Sequence, residues 1–145
     1  MSIAIDIADA VAAELNAAEA GTFSEAFEAR RRVLPEFELE HLAALKVTVV
    51  PKRVEITGST RSASSYEIAV DVGVQKKLGK DLDAEVAALG TVVDEVADYL
   101  RRRPLAAAPH AAWTRITNEP VYAPEHLAEQ RVFTSVLTVT YRAMR

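Results

Sequence analysis

The chain has 145 residues, of which 50% are hydrophobic and 26% charged, a composition that fits one globular domain, residues 1–145, with a real core. Its 17 basic and 21 acidic residues give a formal net charge of −4, which argues against a dedicated nucleic-acid-binding protein. The absence of cysteine excludes disulfides, thiolate metal sites and cysteine nucleophiles, and is compatible with a reducing cytoplasm.

The N-terminal segment carries Asp6, Asp9 and Glu14 and has no leading basic residue, so we expect no signal peptide. No apolar run approaches the roughly 20 residues that a membrane span needs, and we expect a soluble protein. Ser2 can cap a first helix of about fifteen residues, in which apolar residues recur at helical spacing until Gly21 breaks the pattern.

Alternating patterns predict the next elements. The segment "FEARRRVLP" predicts a strand that stops at Pro35, and "FELEHLAAL", residues 37–45, predicts a helical turn. "KVTVVP" and "RVEITGS" predict one strand or two, interrupted by a bulge or an edge at Pro51, which cannot donate to a ladder. After the polar turn "TGSTRSASS" comes the clearest alternation in the chain, residues 66–75, so the two runs around the turn predict a hairpin.

The segment "DLDAEVAALGTVVDEVADYLRRRP" predicts a long helix with acidic residues at its start, arginines at its end and Pro104 as its stop. Its predicted apolar stripe is Val86, Leu89, Val93, Val96 and Leu100. Gly90 is either a weak point of this helix or a place where another backbone comes close. "AAWTRITNEP" and "QRVFTSVLTVTYR" predict the last two strands. This order predicts an α+β fold, a single mostly antiparallel sheet with two helices packed on one face.

Motifs for catalysis or cofactor binding are missing from the sequence. The three histidines lie far apart, without further ligands at metal-site spacing. The glycines match no phosphate loop, and the serines between 59 and 65 lack the glycines of a nucleophile elbow. We therefore expect neither an enzyme nor a cofactor, although a site assembled in space from distant residues stays open.

Two clusters of arginines, residues 30–32 and 101–103, can be interpreted as parts of the fold. Arg31 shares a strand face with Phe27 and Val33, so it is either paired, at an interface, or a solvated edge residue resting on its aliphatic stem. Residues 101–103 are most simply a helix C-terminus. The residues directly adjacent to the two clusters are not aromatic, unlike those that single-stranded nucleic-acid sites use.

The segment "NEPVYAPEHLAEQ", residues 118–130, joins the last two strands and holds two prolines, a tyrosine, a histidine and three glutamates. The segment contains no catalytic motif. We therefore interpret it as a loop, shaped by its two prolines, that contacts a neighbouring protein. The alternative is a surface crossover whose tyrosine packs back onto its own domain.

Most of the chain resembles the tail-terminator, or tail-completion, family of long-tailed bacteriophages and related gene-transfer particles, of the lambda minor tail protein U type. The likeness runs through "IADAVAAELNAA", "FEARRRVLPEFELEHL", "LKVTVVPKRVEITGSTRSASSYEIAVDVGVQKKL" and "AAWTRITNEPVYAPEHLAEQRVFTSVLTVTYR". It consists in the order of a basic strand, a strand interrupted at Val-Pro, a long amphipathic helix and this final segment.

The resemblance implies a subunit of a hexameric ring at the tail end of a virion, in the neck region, made in the cytoplasm of the bacterial host. Such a ring would cap the finished tail tube, stop its polymerisation and offer a docking surface to the head or its connector. The implied partners are other copies of the chain, the major tail tube protein and a head-completion or connector protein. Genome DNA would pass through the ring without specific binding, and no membrane or cofactor would take part.

The resemblance also suggests contact residues. The hairpin tip would reach towards the tube or the lumen, through Gly58, Ser59, Thr60, Arg61 and Ser62, unless it is an ordinary turn. A subunit–subunit or head-side contact would involve Glu119, Tyr122, Pro124, Glu125 and His126, and Arg31 is a further interface candidate.

Other functions remain open at this point. The chain could be another neck or adaptor protein of the head-to-tail region. A small ligand-binding or enzymatic α+β domain would show a concave pocket with converging polar groups. A nucleic-acid-binding module would show salt-sensitive affinity for DNA.

Overall fold

The computed structural model describes residues 2–34 and 42–145. In chain order, its elements are α1 (Ile3–Asn16), β1 (Ala29–Arg31), β2 (Lys46–Gly58), β3 (Ser64–Lys77), α2 (Leu82–Leu100), β4 (Ala112–Asn118), α3 (Pro124–Gln130) and β5 (Val132–Met144). The five strands form one sheet in the order β1-β2-β3-β5-β4. Every neighbouring pair is antiparallel except β1 and β2, which are parallel. The predicted α+β class and mostly antiparallel sheet are confirmed.

Helices α1 and α2 pack on one face of the sheet, as predicted, with α1 over β1, β2 and β3 and α2 against β5. The strand side chains that face the helices alternate along β3 and β5 and are buried: Ile68, Val70, Val72, Val74, Phe133, Leu137, Val139 and Tyr141. The helices contribute Ile7, Val11, Leu15, Leu89, Val92, Val93, Val96 and Leu100 to the same core. Val92 was not in the predicted stripe of α2, while Val86 is only partly buried.

The predicted hairpin is present and consists of β2 and β3, paired from Lys46 with Gln75 to Gly58 with Ser64. Residues 46–58 form one strand rather than two, and its register shifts between Pro51 and Arg53. The register shift fits the predicted bulge, because the proline nitrogen cannot donate to the ladder. Within the described residues, β1 pairs only with Val47–Val49 of β2, so Pro51 also lies on an open edge and both predicted alternatives apply.

Two predicted segments differ from the structure. β1 is shorter than the strand predicted from Phe27 to Val33, since Phe27 leaves the sheet and stacks on Phe23, with ring centroids 4.9 Å apart. Phe23 in turn contacts Tyr99 of α2 with ring centroids 5.5 Å apart. The end of that predicted strand at Pro35, and most of the turn predicted at 37–45, lie outside the described residues.

The connection between β4 and β5 is not only a loop, because it contains a third helix, α3. Pro124 occupies the start of α3, where a proline costs nothing since the first helical N–H has no intrahelical partner. Arg131 ends the helix in a left-handed conformation, with φ 52°. The sequence pattern of residues 118–130 did not predict this short helix.

Candidate assembly surfaces

The hairpin tip projects from the far end of the three longest strands. Residues Gly58 to Ser62 are all exposed, and the turn is ordered by a hydrogen bond from the Thr60 amide to the Ala63 carbonyl, 3.0 Å. The Thr60 hydroxyl accepts a second bond from the Ala63 amide, also 3.0 Å. The backbone of Ser64 pairs with that of Arg145, so the end of β5 supports the base of the tip. The tip is thus a hydrogen-bonded turn that is supported by β2, β3 and β5.

The β4–β5 connection, residues 119–131, lies along the edge of β5 at the other end of that strand. The Glu119 amide donates to the Val136 carbonyl at 3.0 Å, and the Ala123 amide donates to the Thr134 carbonyl at 2.9 Å. From Thr134 to Met144, at about 3.3 Å per residue, the connection and the hairpin tip are separated by about 33 Å. The structure therefore does not bring the two predicted groups of contact residues together.

The predicted contact residues of the connection divide between solvent and their own domain. Glu119, Pro124 and Glu125 are exposed, and Tyr122 is 43% exposed. His126 instead turns inward, with its Nδ1 2.8 Å from the Thr134 hydroxyl. His126 thus holds α3 on the strand, Glu119, Pro124 and Glu125 face outward, and Tyr122 is only partly exposed.

An open groove lies between α2 and the β4–β5 connection. It has a volume of about 290 Å³ and is mostly apolar, lined in part by Val86, Gly90, Val121, Tyr122 and Phe133. Asp94 lies among the lining residues and supplies a negative charge. We refer to this feature as the α2 groove. The amphipathic pattern of α2 could have revealed its apolar wall, but the approach of Tyr122 required the tertiary structure.

Arg31 points back to its own domain. Its Nε donates to the Asp9 carboxylate of α1 at 2.8 Å, and its side chain is 33% exposed. The neighbouring Arg30 is more exposed and lies 3.4 Å from the Glu28 carboxylate. Arg31 therefore ties β1 to α1.

The sheet face opposite α1 and α2 carries a network of charges that sequence analysis missed. Arg115 of β4 donates to the Glu67 carboxylate of β3 at 2.6 Å, and Arg53 of β2 lies 3.6 Å from the same carboxylate. Lys52 lies 3.6 Å from the Asp71 carboxylate. The alternation of β3 placed Glu67 and Asp71 on one face, but the partners depend on a strand register that the sequence does not reveal.

The pKa of Glu67 is lowered from its ordinary value of 4.5. The main cause is the hydrogen bond from Arg115, and the positive charges of Arg115, Arg53 and Arg142 act in the same direction. Partial burial opposes these effects. The cations of this face thus lie beside carboxylates and form a balanced network rather than a basic stripe.

Within residues 2–34 and 42–145, no three histidine, aspartate or glutamate side chains converge as metal ligands would. In the same residues, no helix is long and apolar enough to cross a membrane. The α2 groove is open to solvent, and Asp94 is its one charged lining residue.

The fold is similar to that of a chain from the virion of a native gene transfer agent (GTA) particle. The TM-score is 0.59, with 14% sequence identity, and the match covers 99% of this chain and 100% of that chain. This likeness is one of fold. No protein-family model matches the sequence, and the search of curated proteins found no match.

Proposed function

We propose that this chain is a virion structural protein of a phage-like particle that caps the tail tube as a ring. The ring ends polymerisation of the tube and provides the surface to which the head connector attaches. The observation that carries the proposal is the fold shared with a GTA virion chain over the whole length of both chains. The sequence resemblance to tail terminators supports the specific place at the tail end.

The geometry of the described surfaces fits such a subunit. A ring protein needs contacts to its neighbours in the ring and to the tube and head at its two ends. The hairpin tip and the β4–β5 connection lie at opposite ends of β5, on backbone held by hydrogen bonds. We assign the hairpin tip to the tube or lumen, and the connection, with Glu119, Tyr122, Pro124 and Glu125, to a subunit or head-side contact. The ring is a hexamer, through which DNA passes without specific binding.

Deletion of the gene in a particle-producing host tests the proposal. We expect tail tubes of uncontrolled length and heads without tails in negative-stain images, and both defects should disappear when the intact gene is supplied on a plasmid. Tubes of normal length and complete particles would contradict the proposal.

The same experiment separates the closest alternative, another neck or adaptor protein. An adaptor acts on the head side, so its deletion should leave tubes of normal length that fail to join heads. Purified protein added to tail tubes gives a second measurement: a terminator should appear as a ring at one end of each tube and stop their growth.

A further inference from the structure

Two surface features of opposite shape lie at opposite edges of the sheet. Val33 and Leu34, which follow Arg32 after β1, are 69% and 67% exposed, and we refer to these two exposed apolar side chains as the Val33–Leu34 projection. The α2 groove lies beside β4, the outermost strand at the other edge. Neighbouring strands lie about 4.8 Å apart, so four strand spacings separate β1 from β4 by roughly 19 Å. The projection therefore does not fill the groove of its own chain.

Gly90 is one of the residues that line the α2 groove. A Cβ built on Gly90 would have no heavy atom within 4 Å, apart from its own helix and chain neighbours. The sequence left open that another backbone comes close to Gly90, and within the described residues none does. The groove volume of about 290 Å³ is at the lower limit of ligand pockets, about 300–1,000 Å³. It suits one or two aliphatic side chains better than a larger ligand.

Among the described side chains, exposed arginines lie beside the projection and acidic residues lie beside the groove. Arg30 and Arg32 are exposed next to the apolar projection. Asp94 lines the groove, and Glu119 and Glu125 are exposed on the connection beside it. Arg30 lies 3.4 Å from Glu28, but both side chains are more than half exposed, so this pair constrains Arg30 little. Charge complementarity of this kind orients two protein surfaces.

We propose that the Val33–Leu34 projection of one subunit occupies the α2 groove of the next copy of this chain. Because the projection and the groove are different surfaces, the contact is heterologous and repeats from copy to copy. Such a contact closes into a ring when the rotation between copies divides a full turn. This inference rests on the proposed function for its ring, and it adds the two surfaces that join the subunits.

Filling the groove tests the contact. Gly90→Met places a long side chain in the groove where the neighbour's leucine would sit, and the Cβ at this position has no heavy atom within 4 Å beyond its own helix and chain neighbours. We expect self-association to weaken roughly tenfold or more, the loss seen when an interface anchor is blocked. Ala88→Met is the matched control, since Ala88 is exposed on the same helix and does not line the groove. Gly90→Ala should associate normally, and circular dichroism should show all three variants folded.

Cysteine cross-linking provides an independent test, because the natural chain has no cysteine. A double variant, Leu34→Cys with Val121→Cys, should give an oxidised ladder of three or more subunits, whereas each single variant should not. A mixture of the two single variants should give dimers only. Dimers from Leu34→Cys alone would indicate a symmetric contact and overturn the inference.

The results distinguish this inference from the proposed function. Rings that form on tail tubes with Gly90→Met as they do with Ala88→Met would overturn the contact and leave the terminator role intact. A cross-linked ladder together with normal tails after gene deletion would support the contact and contradict the terminator role. Wild-type protein that stays monomeric in solution and on tubes would overturn both.

Discussion

The side-chain amide of Asn16 pairs with both backbone polar groups of Ala29. Its Nδ2 donates to the Ala29 carbonyl and its Oδ1 accepts from the Ala29 amide, both at 2.8 Å. The end of α1 thus takes the place of a neighbouring strand along the outer edge of β1. This pairing explains how a strand of only three residues keeps its position in the sheet.

Replacing Asn16 should destabilise the fold. Asn16→Ala leaves two partly buried backbone groups without partners, so we expect a loss of about 2 kcal/mol in the free energy of unfolding, measured with urea. Asn16→Asp keeps the acceptor but loses the donor and should also destabilise. An Asn16→Ala stability equal to that of the natural chain would show that water replaces the amide.

Substitution by alanine should have opposite effects at two glycines. Gly90 is helical and has open space around a built Cβ, so Gly90→Ala should stabilise the fold by about 0.5–1 kcal/mol. A Cβ at Gly73 would lie 3.2 Å from the Thr48 hydroxyl oxygen, so Gly73→Ala should lower stability. Thermal unfolding measures both effects. Adding Thr48→Ala to Gly73→Ala should restore part of the loss, and no restoration would exclude this contact as the cause.

Glu67 should contribute stability that depends on pH. Its folded pKa is lowered from 4.5, so the contribution is present above the unfolded pKa and is lost as pH falls through the lower folded value. The natural chain should therefore exceed Glu67→Gln in stability at about pH 7, with the difference shrinking below about pH 4.5. Urea unfolding across this range tests the prediction.

The carboxylate itself can be followed by NMR titration. Arg115→Gln removes the main cause of the shift and should raise the pKa of Glu67 towards 4.5. Arg61→Gln, on the hairpin tip, removes one positive charge away from the network and should leave that pKa unchanged. Equal titration in the natural chain and in Arg115→Gln would contradict the assignment.

The Tyr141 hydroxyl is buried and has no hydrogen-bond partner among the residues that the structure describes. Tyr141→Phe removes this unpaired group and keeps the ring, so we expect stability to rise by about 1 kcal/mol. Tyr141→Ala should instead lose about 3–5 kcal/mol, because it opens a cavity in the core. Thermal unfolding of both variants provides the comparison, and a destabilised Tyr141→Phe would reveal a partner for the hydroxyl.

Burial also raises the pKa of Tyr141 above its ordinary value of 10, with the charge of Glu14 as a smaller cause. The phenol should therefore stay neutral in the folded protein above about pH 10, whereas it ionises in the unfolded chain. The free energy of unfolding should consequently fall as pH rises above about 10. Ultraviolet absorbance during alkaline titration should show a late ionisation that Tyr141→Phe lacks.

Local patterns were sufficient for most elements of this fold. Alternation along residues 66–75 identified the buried face of β3, and helical spacing identified α2, since both periods follow directly from backbone geometry. Pro51 identified an irregularity because it lacks an N–H group. The sequence did not predict the ends of β1, because they depend on the contact of Phe27 with Phe23. It did not predict α3 either, because seven residues give only a weak helical pattern.

The sequence by itself determined the α+β class, the hairpin and the lack of catalytic motifs, because these depend on residue type and on spacing along the chain. Only the tertiary structure decided that β1 runs parallel to β2, that Arg115 reaches Glu67, and that Tyr122 and Gly90 line the same groove. These contacts join residues far apart in the chain, and their distances depend on strand order and register. The surfaces through which we propose that this subunit contacts its neighbours likewise depend on the tertiary structure.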